Sequence, residues 1–95
     1  MKKYEIDYQT VERKLQEYCE RRLKDASHFC ENEETSSAWS YLEYAYGAFC
    51  FASELFPKYL IPLDNWWCRE IKPTYKALCH KLFDIEEGKH LTNNN

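Results

Sequence analysis

Ninety-five residues and 11.5 kDa make a single domain, 1–95, with no room for a second core. With 44% apolar and 31% charged residues the chain reads as globular, neither disordered nor membrane-spanning. Two Gly, three Pro and nine Val, Ile and Thr together weigh against sandwiches, barrels and glycine-rich nucleotide folds, and a net charge of −3 weighs against broad nucleic-acid coating.

Asp7 stands where a helix N-cap would, ahead of a first helix over 8–30. Tyr8, Val11, Leu15, Tyr18 or Cys19, Leu23, Ala26 and Phe29 or Cys30 share one face of it, and Arg13, Glu17, Glu20, Arg21 and Lys24 face away. The polar run 31–37 is read as a loop, with Ser36 or Ser37 capping the next helix. That second helix, 38–56, holds 14 apolar residues among 19. At about 100° per residue its polar positions Ser40, Glu43, Gly47 and Glu54 gather in a stripe about 60° wide. Gly47 suggests the close approach of another backbone.

Pro57 ends the second helix, and the apolar connector 58–63 is expected to lie on the core. A third helix over 64–87 starts at Asp64, with Trp67, Cys68, Ile71, Tyr75, Leu78, Cys79, Leu82 and Ile85 on one face. That stripe continues past Pro73 without a change of phase, which favours one kinked helix over two. Gly88 is the expected C-cap, and 91–95 a frayed tail. The fold class is therefore all-α: a small three-helix bundle, or four helices if the chain breaks at Pro73.

Five cysteines form an odd count with no C-x-x-C spacing, and no apolar leader follows Met1. Free thiols in a reducing, cytoplasmic setting are expected, with neither metal site nor cofactor. The longest uncharged apolar run, 44–53, is half of what a membrane span needs.

Two patterns bear on function. Between Lys24 and Lys58 there is no Lys or Arg, yet Asp25, Glu31, Glu33, Glu34, Glu43 and Glu54 are acidic. Carboxylates interleaved with Trp39, Tyr44 and Phe51 point to a non-enzymatic interaction module that docks Glu31, Glu33, Glu34, Trp39, Glu43, Tyr44, Phe51 and Glu54 on a basic partner surface, with a homodimer as the other occupant considered. Such a layout can imitate the phosphates and bases of a nucleic acid, and it is similar in size and charge to small helical anti-CRISPR and anti-restriction inhibitors. The second pattern is a basic stripe of Arg69, Lys72, Lys76 and His80 beside Trp66, the alternative reading being a nucleic-acid-binding accessory protein.

Arg22 lies among apolar first-helix positions, where its stem is expected to snorkel with the head at the bundle edge, the alternative being a bidentate pair with Glu43 or Glu54. The segment Arg22-Leu23-Lys24-Asp25-Ala26-Ser27-His28 also resembles the R-x(4–6)-H signature of the HEPN family, helical domains that often cleave RNA. That resemblance covers seven residues and implies a ribonuclease in which Arg22 and His28 meet at a phosphate. On an unbroken helix the two side chains point about 120° apart, which opposes such convergence.

Overall fold

The computed structural model of the protein describes residues 6–93, with side chains described through Gly88. Helices α1 (Tyr8–Glu31) and α2 (Thr35–Leu55) form an antiparallel hairpin. Helices α3 (Leu60–Trp66) and α4 (Lys72–Asn93), joined by the π-helical turn Trp67–Ile71, make a third rod that packs along it. The rod runs parallel to α1. Near its start the Tyr8 hydroxyl donates to the Pro62 carbonyl at 3.0 Å, and near its far end Trp39 Nε1 donates to Glu86 at 2.9 Å. The chain is thus a small three-helix bundle, with no strand among the described residues.

Asp7 caps α1 as its sequence position predicts, its carboxylate accepting from the Thr10 amide at 2.8 Å. That backbone hydrogen bond holds the Asp7 carboxyl below its ordinary value. The hairpin is tight because α2 presents Ala38, Ala45 and Ala52 to α1 at seven-residue intervals, all buried. Small side chains there allow close helix approach, and the Cys19 thiol lies 3.6 Å from the Ala45 carbonyl. Leu42 and Phe49 fill the layers between, and Leu63, Trp66, Trp67, Ile71, Leu78 and Leu82 close the core from the third rod.

Several boundaries move. The loop shrinks to residues 32–34 because Glu33 takes a left-handed conformation, φ 58°, that reverses the chain at once. The amides of Asn32, Glu33 and Glu34 bond back to α1 carbonyls, and α2 starts at Thr35 with Glu34 at its N-cap and no side-chain cap. Ser36 and Ser37 therefore lie inside the first turn rather than capping it. Gly47 meets no approaching backbone; the space a side chain would enter there is open. Asp64 sits within α3, since a 3-10 turn at Pro57–Tyr59 starts the rod earlier than expected. Of the connector, Leu63 is fully buried, whereas Leu60 and Ile61 point outward.

Pro73 does not break the rod. Proline lacks the amide that an α-helix needs, and its ring crowds the carbonyl four residues back. The π turn ends two residues earlier and widens the helix at that point, the Lys72 amide bonding to Trp67 O. The added residue shifts the helical phase, contrary to the continuous stripe expected from sequence. Trp66 and Ile71 are both buried, although on an uninterrupted α-helix they would point about 140° apart. The same shift turns Cys68, expected to face inward, out to solvent. The helix passes through Gly88 without a C-cap and continues to Asn93, so residues 91–93 of the expected tail are helical and 94–95 lie outside the described residues.

Candidate interaction surface

The outward face of α2 follows from its pattern. With Ala38, Leu42, Ala45, Phe49 and Ala52 turned inward, the helix turns Glu43, Tyr44, Gly47, Phe51, Glu54 and Leu55 to solvent. The exposed band is broader and more apolar than a 60° polar stripe. Phe51 is 65% exposed, Leu55 56% and Tyr44 51%. Phe51 and Tyr44 are seven residues apart, hence two turns apart on nearly one line, and Glu43 and Glu54 run beside them about 16 Å apart along the axis. Glu31, Glu33 and Glu34 are exposed at the hairpin tip. Trp39 is not free to dock. It is half-buried between α2 and α4, its ring edge-on to Phe83 at 5.2 Å and its indole nitrogen held by Glu86.

That anchoring brings a second acidic segment to the same end of the bundle. Asp84, Glu86 and Glu87 are exposed in the turns around the Trp39 contact. The tip thus combines the 31–34 carboxylates with those of α4, a convergence that the linear charge pattern does not reveal. Exposed Phe83 lies among them.

Arg22 finds neither Glu43 nor Glu54. It pairs with Asp25, one turn on, at 3.1 Å, and its guanidinium lies over the rings of Tyr18 and Tyr41 at 5.3 and 5.4 Å. Its Nε is buried without a hydrogen-bond partner. An aromatic series runs on from there: Tyr41 stacks on Phe29 at 5.4 Å and meets Tyr44 edge-on at 5.2 Å. His28 lies elsewhere, against Phe29 and Asn32. Arg22 and His28 thus have separate partners.

The basic stripe is only partly as expected. Trp66 is core, 1% exposed, its indole donating to Gln16 of α1. Arg69 is tied to Glu70 at 2.8 Å and to Glu12 at 3.7 Å. Lys72, Lys76 and His80 remain exposed at four-residue spacing along α4. Beside the first two lies a cavity of about 330 Å³ between α2 and the third rod, bordered by Tyr46, Phe49, Trp67 and Tyr75. The pair Tyr46–Phe49 and the trio Lys72–Tyr75–Lys76, at i, i+3 and i+4 spacings, are the sequence signal that could have found it; the π turn that brings Trp67 to join them has none. Burial pushes the Tyr75 phenol up, with Cys79, Tyr46 and Glu43 adding to the shift, so the phenol is neutral at physiological pH.

No group of three His, Cys, Asp or Glu among the described residues is placed to hold a metal ion, and no helix there is long and apolar enough to cross a membrane. Compared with protein-family models, curated proteins and solved structures, the chain matches none.

Proposed function

We propose that the protein is an interaction module that docks the outward face of α2, with the acidic hairpin tip, onto a basic surface of another protein. The observation that carries this reading is the composition of one face: exposed Tyr44, Phe51 and Leu55 lie alongside Glu43 and Glu54 on a helix with no basic residue. Large exposed apolar side chains on a small domain are a docking signature, and aromatic side chains commonly carry interface energy. The carboxylates would raise the association rate with a basic partner and repel acidic ones. Self-pairing of this face in a two-fold dimer would set carboxylates against carboxylates, so a different, basic partner is the better occupant. A protein whose cleft ordinarily holds nucleic acid is the specific form that the acid–aromatic alternation suggests.

Comparative capture tests it. Wild-type protein and the double variant Glu43→Lys/Phe51→Ala would serve as baits at low salt, with circular dichroism confirming that both fold. The reading predicts a partner with a basic surface that the wild type retains and the variant loses, and whose capture falls as salt rises. With that partner in hand, Glu31→Lys/Glu33→Lys/Glu34→Lys should slow association and flatten its salt dependence, whereas Tyr44→Ala should speed dissociation. Identical capture by bait and folded variant overturns the reading.

A further inference from the structure

The cavity between α2 and the third rod is built from chemistry unlike that of the outward face. Phe49 and Trp67, both nearly buried, stack at 4.7 Å and form its floor. Tyr46 meets Trp67 edge-on at 5.6 Å, Tyr75 does so at 5.5 Å, and the two tyrosines stand 6.2 Å apart. Lys72 and Lys76 flank Tyr75 on α4, one turn apart, and Asp64 and Cys68 complete the rim. Neither lysine has an ion-pair or hydrogen-bond partner among the described residues, so both ammonium groups are available to a ligand. The volume, about 330 Å³, is at the lower end of the range for small-molecule sites.

Aromatic walls with two unpaired ammonium groups select a planar, anionic ligand. A bare phosphate would gain nothing from the rings and would be opposed by Asp64 and by Glu43, which lies close enough to act on Tyr75. A quaternary ammonium would suit the rings but be repelled by both lysines. A nucleotide answers the rings, both lysines and Asp64, and its stacking offsets the Glu43 charge that a bare phosphate meets uncompensated. Its base stacks on the aromatic surface, its phosphate meets the ammonium groups, and Asp64 accepts from a sugar hydroxyl or an exocyclic amine. We propose that this notch is a nucleotide-binding site, with Tyr46 and Tyr75 as the stacking surface over the buried Trp67 and Lys72 and Lys76 as the phosphate clamp. The nucleotide has two sources, free in solution or part of a single strand. His80 continues the Lys72–Lys76 row at steps of about 6 Å, a track that only a strand would use. Glu43 of the docking face adjoins the notch, but Lys72 and Lys76 belong to the notch alone, so their substitution tests this site independently of that reading.

Titration followed by amide chemical shifts and tryptophan fluorescence would test it, using adenosine monophosphate, a thymidine octanucleotide, inorganic phosphate and choline, each up to the millimolar range. Shifts should centre on residues 46, 67, 72, 75 and 76. Lys72→Ala/Lys76→Ala, two exposed helical positions where alanine preserves the fold, should weaken binding roughly tenfold or more, as should Tyr46→Ala. Octanucleotide binding that falls with salt at a log–log slope of about −1.4 and weakens in His80→Ala identifies a strand. Equal binding of the monophosphate and indifference to His80→Ala identify the free nucleotide. Absence of binding by either, binding unchanged in the lysine variant, or preference for phosphate alone or choline overturns the proposal.

Discussion

Cys19 and Cys68 carry the same thiol in opposite environments. Cys19 is fully buried, and burial, with the Glu20 charge adding, pushes its thiol up to about 12, so no thiolate forms at neutral pH without unfolding. Cys68 is exposed on the π turn, while Cys50 and Cys79 are half-buried. All five are free, and their unequal exposure sets unequal reactivity. Native protein should take one label rapidly, at Cys68, while Cys19 and Cys30 react only at the rate of global opening; mass mapping of a time course reads this directly. Arg22 gives a second residue-scale prediction. Because Tyr41 and Asp25 hold it, a double-mutant cycle should find about 0.5–1 kcal/mol of coupling between Arg22→Met and Tyr41→Leu. The cycle of Arg22→Met with Glu43→Gln should be additive, and coupling there would contradict the observed pairing.

At the scale of helices, two substitutions probe why each has its shape. Gly47 occupies an exposed interior position of α2 with open space around it. Gly47→Ala should therefore stabilise the protein by about 1 kcal/mol, raising the thermal midpoint by roughly 4–8 °C. A loss of stability would mean that something packs there. The π turn makes a sharper case. It holds one residue more than an α-helix needs, and that residue both clears Pro73 and brings Trp66 and Ile71 into one core. Deleting Cys68 removes the extra residue and keeps both side chains inward, but places the proline in regular α-helix, at a cost of about 3 kcal/mol. Adding Pro73→Ala to the deletion should recover most of that loss in urea denaturation. If the double change is no better than the deletion alone, the proline is not the reason for the π turn.

The whole molecule is a rod rather than a sphere. Its principal extents are 66 × 20 × 17 Å and its radius of gyration is 16.3 Å, against about 12 Å for a spherical domain of this length. Long helices joined by three-residue and single-turn connections lie side by side along one axis, which draws the molecule out. Small-angle scattering should return an elongated distance distribution, and a compact one would show that the third rod folds differently against the hairpin. An elongated bundle also exposes more side-chain surface than a sphere, which leaves Tyr44, Phe51, Leu60, Ile61 and Phe83 outside the core. Six of the sixteen acidic residues meet toward one end because α4 returns Asp84, Glu86 and Glu87 to the side of the hairpin tip that carries Glu31, Glu33 and Glu34.

Helical periodicity and capping chemistry by themselves determined the all-α class, the bundle of three rods, the Asp7 cap and the inward face of α1, because each depends on spacing within one segment. Helix α2 is apolar nearly all round, so only packing decided that Ala38, Leu42, Ala45, Phe49 and Ala52 turn inward. Periodicity did place Glu43, Tyr44, Phe51 and Glu54 on the outward side of α2. Only the tertiary structure decided that Trp66 is core and Cys68 surface, since the π turn that shifts the phase is held in place by packing on both sides of it. Arg22's choice of Asp25 and two tyrosine rings, the immobilisation of Trp39 by Glu86 and Phe83, and the notch joining Tyr46 to Lys72 were equally out of reach of the pattern. Each joins side chains from different turns or different rods, and their meeting is set by how the rods lie against one another, which no periodicity within a single rod contains.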